Sequence, residues 1–261
     1  SATDYVGHTY GTEGAEMCLQ LATVDRELGA FFERLDKSGV DYEVVLTADH
    51  GGHDLPERNR EHGIPDAQRV DAALGPKALS DAIGAKLGLT GQVLYGDGAA
   101  GDFYVSKTLT PAQRAKVQTE ALAMIRANPQ VEVVFTKDQI AATPSPSGPP
   151  ERWSLIQEAR ASFYAPRSGD FLVMLKPRVT PIPDPTKGYV ATHGSPWDYD
   201  RRVPILFWRK GIVPFEQPLG VETVDILPTL AAQIGLAVPK GEIDGRCLDI
   251  DASAADSCAA K

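Results

Sequence analysis

Asp4 and His8, Asp49 and His50, and His193 are metal-ligand residue types spread over three segments, Asp4-x-x-x-His8, VVLTADHGG and ATHGSP. Side chains so far apart in a chain meet only where a fold gathers loop ends, as two-metal hydrolytic centres require. An open α/β sheet does this at the carboxyl ends of its strands. The flanking runs agree with that architecture. Met17, Leu21, Val24, Leu28, Phe31 and Leu35 recur at alternating spacings of four and three. This predicts a helix with one buried face, capped by Thr12, with Glu13 and Glu16 in its first turn, and stopping near Ser38-Gly39. The short β-branched run YEVVLT (42–47) reads as an interior parallel strand delivering Asp49 and His50 at its carboxyl end. Neighbouring side chains on a strand point oppositely, so both reach one site only if the chain turns, which Gly51-Gly52 permits.

From 64 to 188 the texture changes. Strand-like runs QVLY, DFYV, VEVVFT and DFLVML alternate with helices, of which TPAQRAKVQTEALAMIRANP is the clearest, with Thr110 as cap and Pro111 at the first helical position. Proline and glycine crowd PSPSGPP (144–150) and PRVTPIPDPTKG (177–188). The expectation is an inserted α+β subdomain over 64–188 with a small antiparallel sheet. The α/β core would then consist of 1–63 and 189–261, with a mostly parallel sheet flanked by helices. In the second core segment, His193-Gly194 precede a strand VPILFW (203–208), and Thr223 caps a helix over 223–235 before Pro239.

With 261 residues, 43% of them hydrophobic, the chain has ample apolar material for a core. No apolar run approaches the roughly eighteen residues of a membrane span. The net charge of −9 excludes general affinity for nucleic acid, and an anionic substrate would need a local positive centre such as bound cations. Cys247 and Cys258 flank a polar tail where a disulfide is sterically easy, which would point to an oxidising compartment such as a periplasm. Cys18 is left over. The start at SATDYVGH, so close to Asp4, leads us to expect a preceding segment.

Asp and neutral His suit a Zn²⁺-like ion. Asp4, His8 and His193 make a three-ligand set with an open position, while Asp49 and His50 half-fill a second site that needs a further ligand. His53 and His62 lie in the polar, charged stretch HDLPERNREHG and read as solvated or hydrogen-bonded. Ser195 lacks a G-x-S-x-G elbow and is no nucleophile. Gly96, Gly98 and Gly101 fail as a dinucleotide fingerprint because a strand, not a helix, follows. Asp97, Asp102, Asp249 and Asp251 sit in Gly- or Asp-rich loops and are of the oxygen-ligand type that calcium takes, but solvated turn carboxylates are the preferred reading and additional Ca²⁺ the weaker one.

TDYVGH, VVLTADHGG, HGSPWDYDRRVPILFW and TVDILPTLAAQIGL resemble, in type and order, the carboxyl-terminal half of the alkaline phosphatase superfamily. The closest look is to its nucleotide pyrophosphatase/phosphodiesterase-like branch, which includes PhoK-type secreted bacterial alkaline phosphatases. The resemblance implies that Asp4, His8 and His193 hold one zinc and that Asp49 and His50 help hold a second. It also implies hydrolysis of phosphate monoesters through a covalent phospho-Thr or phospho-Ser, in a periplasmic or secreted enzyme. A phosphodiesterase or nucleotide pyrophosphatase is the close competitor. The family's nucleophile and a further Asp ligand match nothing here and are expected upstream, so no catalytic residue is assigned within this chain. A catalytically inert metal-binding half is the alternative of a different class.

Overall fold

The structure, a computed structural model, describes residues 1–239, 241–253 and 255–258. In chain order the elements are α1 (Ala2–Tyr10), α2 (Ala15–Ser38), β1 (Glu43–Thr47), α3 (Pro56–Glu61), β2 (Gln68–Arg69), α4 (Pro76–Leu87), β3 (Leu94–Gly96) and β4 (Gly101–Val105). There follow α5 (Pro111–Arg126), β5 (Val131–Thr136), α6 (Lys137–Ala142), α7 (Leu155–Ala161), β6 (Phe171–Leu175), β7 (Val179–Thr180), α8 (Asp198–Arg201), β8 (Ile205–Arg209) and α9 (Ile226–Gln233). The chain divides into two compact units, one of 1–25, 50–146 and 154–202, the other of 26–49, 147–153 and 203–261. The insertion over 64–188 remains an expectation.

The first unit is built on a four-stranded antiparallel sheet in the order β3-β4-β6-β5. Alternation along β6 supplies two cores. Phe171, Val173 and Leu175 join a cluster with Ile83, Phe103, Val117 and Ile125, to which α4 and α5 contribute. Leu172 and Met174 join a second cluster with Ile140 of α6 and Ala159 of α7. Successive strand residues face opposite ways, so a strand covered on both faces reads as the continuous apolar run FLVML. In β5 a register shift between Val131 and Val133 puts Val131 and Val134, an odd spacing apart, in the same cluster, as a bulge does. Helix starts follow local chemistry. Thr110 with Gln113, Thr136 with Gln139 and Ser154 with Gln157 each form a reciprocal capping box. The segment after Gly96 is indeed a strand, β4, paired antiparallel to β3.

The second unit holds a two-stranded sheet, β1 with β8, antiparallel, with Glu43 opposite Arg209 and Thr47 opposite Ile205. Here an expectation is corrected: β1 is half-exposed, and not an interior parallel strand. Five apolar and β-branched residues specify a strand but carry no information on the direction of its partner. The α/β class itself, with small sheets that include an antiparallel one, is as the sequence implies. The parallel ladder among the described residues is β2 with β7.

Helix α2 starts at Ala15, not after Thr12, because the carbonyl of Gly14 accepts the first amides, those of Met17 and Cys18. Its apolar stripe is not a buried face. No residue of α2 is buried, and Leu21 and Phe31 are more than half exposed. Near the end of the chain the cap is Glu222, which exchanges hydrogen bonds with Asp225, and not Thr223. Cys247 and Cys258 are joined by a disulfide with Cα atoms 5.8 Å apart, and Cys18 is a free, exposed thiol. No helix among the described residues is long and apolar enough to cross a membrane.

Candidate metal centre

Helix α1 is capped by Ser1, whose hydroxyl accepts the Asp4 amide at 3.2 Å. Asp4 and His8 are four residues apart and share one helix face. The helix stops at Gly11, which has φ of 83° and whose Cβ, if present, would lie 2.0 Å from the Asp54 carboxylate. Only glycine satisfies both demands. The carbonyl of His8 accepts the amides of Val190 and Ala191, at 2.8 and 3.2 Å. The His8 ring stacks on Tyr189, with centroids 4.4 Å apart. These contacts lead the chain directly to His193.

The loop carrying His50 is tied to α8. The Gly51 amide donates to the Asp200 carbonyl and the Gly52 amide to that of Tyr199, both at 2.7 Å. Neither glycine has positive φ. Gly51 is needed instead for closeness, because a Cβ there would sit 2.2 Å from the Tyr199 carbonyl oxygen.

Asp4 Oδ1 is 3.4 Å from His8 Nε2, 3.5 Å from His50 Nε2 and 3.4 Å from His193 Nε2. The rings of His50 and His193 stack with centroids 3.3 Å apart. Asp4, His50 and His193 each offer a ligand atom within 4.8 Å of the others, the one such group of metal-binding side chains among the described residues. His8 lies against this group. Asp49 is exposed and belongs to the second unit. The carboxylates of Asp97, Asp102, Asp249 and Asp251 form no such group among the described residues. Asp249 and Asp251 instead accept from the nearby backbone and hydroxyl groups of Ser257 and Ser253.

The tautomers test whether this donor set fits a metal ion. His8 Nδ1 lies 2.8 Å from the Ala191 carbonyl, and His50 Nδ1 lies 2.8 Å from that of Gly51. A carbonyl only accepts, so each ring donates from Nδ1 and, when neutral, keeps a lone pair on Nε2. Those lone pairs face the Asp4 carboxylate, acceptor against acceptor. That arrangement is stable only with a cation among them or with protons taken up by the rings. Burial first, and then the neighbouring imidazoles of His50 and His8, hold His193 below the ordinary imidazole range. Proton uptake by His193 is therefore disfavoured, and imidazole with carboxylate is a zinc-type donor set, with carbonyls on the far nitrogens of His8 and His50.

Two buried aspartates that support this centre are not among the candidate ligands read from the sequence. The carboxylate of Asp54, 2% exposed, accepts from Arg58 Nη1 at 2.8 and 2.9 Å, while Arg58 Nη2 donates to the Tyr10 carbonyl at 3.2 Å. This joins the end of α1 to the segment after His50. The stretch HDLPERNREHG is therefore not simply a polar loop: it holds α3, with Pro56 at its start and Asn59 buried. Asp54 and Arg58 stand four apart, an ion-pair spacing that a helical reading of PERNRE would have exposed. Within that stretch His62 pairs with Glu13 at the surface, at 3.0 Å. His53 is half-buried against Tyr199 and hydrogen-bonded to the Asp54 carbonyl. Asp200, 5% exposed, accepts the Ser195 amide at 2.8 Å. Ser195 is thus a turn residue two positions after His193.

Comparison with known proteins shows the family of the chain. A family described as type I phosphodiesterase / nucleotide pyrophosphatase matches residues 1–196. The chain is 69% identical over 261 residues to the alkaline phosphatase PhoK of a Sphingomonas species, covering 99% of this chain and 47% of that protein. It is 49% identical to the alkaline phosphatase PhoD of Zymomonas mobilis, covering 46% of that protein. A crystal structure of alkaline phosphatase PafA shares the fold, with a TM-score of 0.78 at 23% identity over 96% of this chain and 46% of that one. The chain spans about half the length of the curated relatives it matches. The chain belongs to the type I phosphodiesterase / nucleotide pyrophosphatase family, within the alkaline phosphatase superfamily.

Proposed function

We propose that this chain supplies most of the metal ligands of a zinc-dependent alkaline phosphatase that hydrolyses phosphate monoesters through a phospho-Thr or phospho-Ser intermediate. The observation that carries the reading is the convergence of three imidazole Nε2 atoms on one oxygen of Asp4, at 3.4 to 3.5 Å. Bound divalent ions would supply deprotonation of a hydroxyl nucleophile near neutral pH and charge neutralisation at the phosphoryl oxygens. The protein's own part is to hold the donors ready. Asp4 contributes negative charge, and the carbonyls of Ala191 and Gly51 hold the Nδ1 sides of His8 and His50 so that their Nε2 atoms face Asp4. Following the family resemblance, Asp4, His8 and His193 serve one ion, and Asp49 with His50 serve another. The nucleophile and a further Asp ligand belong to a polypeptide corresponding to the other half of the relatives, which is the protein partner in this reading. The Cys247–Cys258 disulfide supports a periplasmic or secreted location.

His193→Ala in the complete protein is expected to lose metal occupancy and phosphatase activity together. Retention of activity with stoichiometric zinc would sink the assignment. The matched family's description favours a phosphodiesterase or nucleotide pyrophosphatase as the second reading, and relative turnover of an aryl phosphate and an aryl phosphodiester separates the two. An inert metal-binding half is distinguished by phosphoryl labelling. Phosphate ester should leave this chain unlabelled and label protein only when the other half is present.

A further inference from the structure

Helix α8 is one turn long, yet it touches both loops that carry histidines of the metal centre. Its carbonyls at Tyr199 and Asp200 hold Gly52 and Gly51, next to His50, and Asp200 Oδ2 holds the Ser195 amide two residues after His193. The helix is itself anchored. Trp197 Nε1 donates to the Leu175 carbonyl of β6 at 3.1 Å, and Arg201 pairs with Glu158 of α7 at 2.5 Å. Asp200 Oδ1 is buried and has no hydrogen-bond partner among the described residues. A buried carboxylate oxygen left so is costly, and a turn-forming role alone would be met by asparagine, whose amide oxygen accepts the same Ser195 amide.

We propose that Asp200 is a positioning residue for the metal centre: it sets the separation of the His50 and His193 loops and lends the site a buried negative charge that favours a bound cation. The inference rests on the metal-centre reading above and extends it to a residue that is not itself in the ligand cluster.

The test strips the protein of metal and titrates Zn²⁺ against a chromophoric chelator, with the Co²⁺ absorption spectrum as a second readout. Asp200→Asn keeps an acceptor for Ser195 and removes the charge. It should melt near the wild-type temperature, bind zinc roughly 10–100-fold more weakly and shift the Co²⁺ bands. Gly51→Ala leaves the carboxylate intact but forces the loop away from Tyr199, and should weaken zinc as well. If Asp200→Asn does not fold, Gly51→Ala decides the matter, and wild-type affinity there overturns the proposal. Wild-type zinc affinity and an unchanged Co²⁺ spectrum in folded Asp200→Asn, with the ion lost in His193→Ala, also overturn it. Wild-type affinity in His193→Ala would instead overturn the metal-centre reading beneath it.

Discussion

The first unit stabilises itself by burial, the second by covalent and polar ties. Phe103 and Phe171, both fully buried and stacked at 5.3 Å, sit in a cluster fed by five strands and by helices α4 and α5. The second unit has little that is comparable. Leu206, Trp208, Leu219, Leu227 and Ile234 are all substantially exposed. Its order comes instead from Thr229, which joins Asp225 and Leu248, from the Arg209–Asp251 pair at 2.7 Å, and from the disulfide. Packed apolar area gives cohesion that does not depend on any single bond. A network of polar ties concentrates stability in a few groups, each expensive to lose. The described core of the metal cluster, Asp4, His8, His50 and His193, falls in the well-packed unit, where rigid support favours precise ligand placement.

The largest expected effect tests the packed unit. Phe103→Ala should destabilise the protein by about 3–5 kcal/mol, read from the urea midpoint. A cost near 1 kcal/mol would mean that the cluster is looser than its burial implies. Next is the disulfide of the second unit, which closes a separation of 11 residues. Replacing Cys247 and Cys258 together by Ser should cost roughly 2–3 kcal/mol, seen in thermal unfolding under oxidising conditions and absent under reducing ones.

A smaller effect concerns His53. Burial, the largest influence, holds its pKa below 6.5, with partial compensation from hydrogen bonding to Asp54. The unfolded chain therefore binds more protons than the folded one as pH drops past that value. Stability from neutral His53 is fully present above pH 6.5 and falls below it. His53→Gln should flatten this slope in metal-free protein, and an unchanged slope would place the titrating group elsewhere. Smallest of all, Leu206→Ser, at a position 55% exposed, should change stability by no more than about 0.5 kcal/mol. A cost of several kcal/mol in a longer polypeptide, but not in this chain, would show that this surface is covered there.

Much of the site was legible because its chemistry is local. The four-residue spacing of Asp4 and His8 is a helix-face spacing, and the loops DHGG and HGSP announce themselves by residue type. Thr110-Pro111 likewise marked a helix start from a few adjacent residues. What escaped depended on distant partners. Leu21 and Phe31 show helical periodicity as clearly as any buried stripe, but periodicity says which residues share a face and not whether anything covers it. Asp54 and Asp200 are set apart only by their partners in the fold, an arginine one turn away and a loop amide.

The sequence by itself determined the ligand types, their order and the helices that carry their own caps, because these are set by bonds among neighbours. Tertiary structure alone decided that β1 pairs antiparallel with β8, that Asp4 meets His50 and His193, and that one turn of helix holds both loops. Those outcomes arise from contacts between residues far apart in the chain, whose geometry no short window of sequence contains.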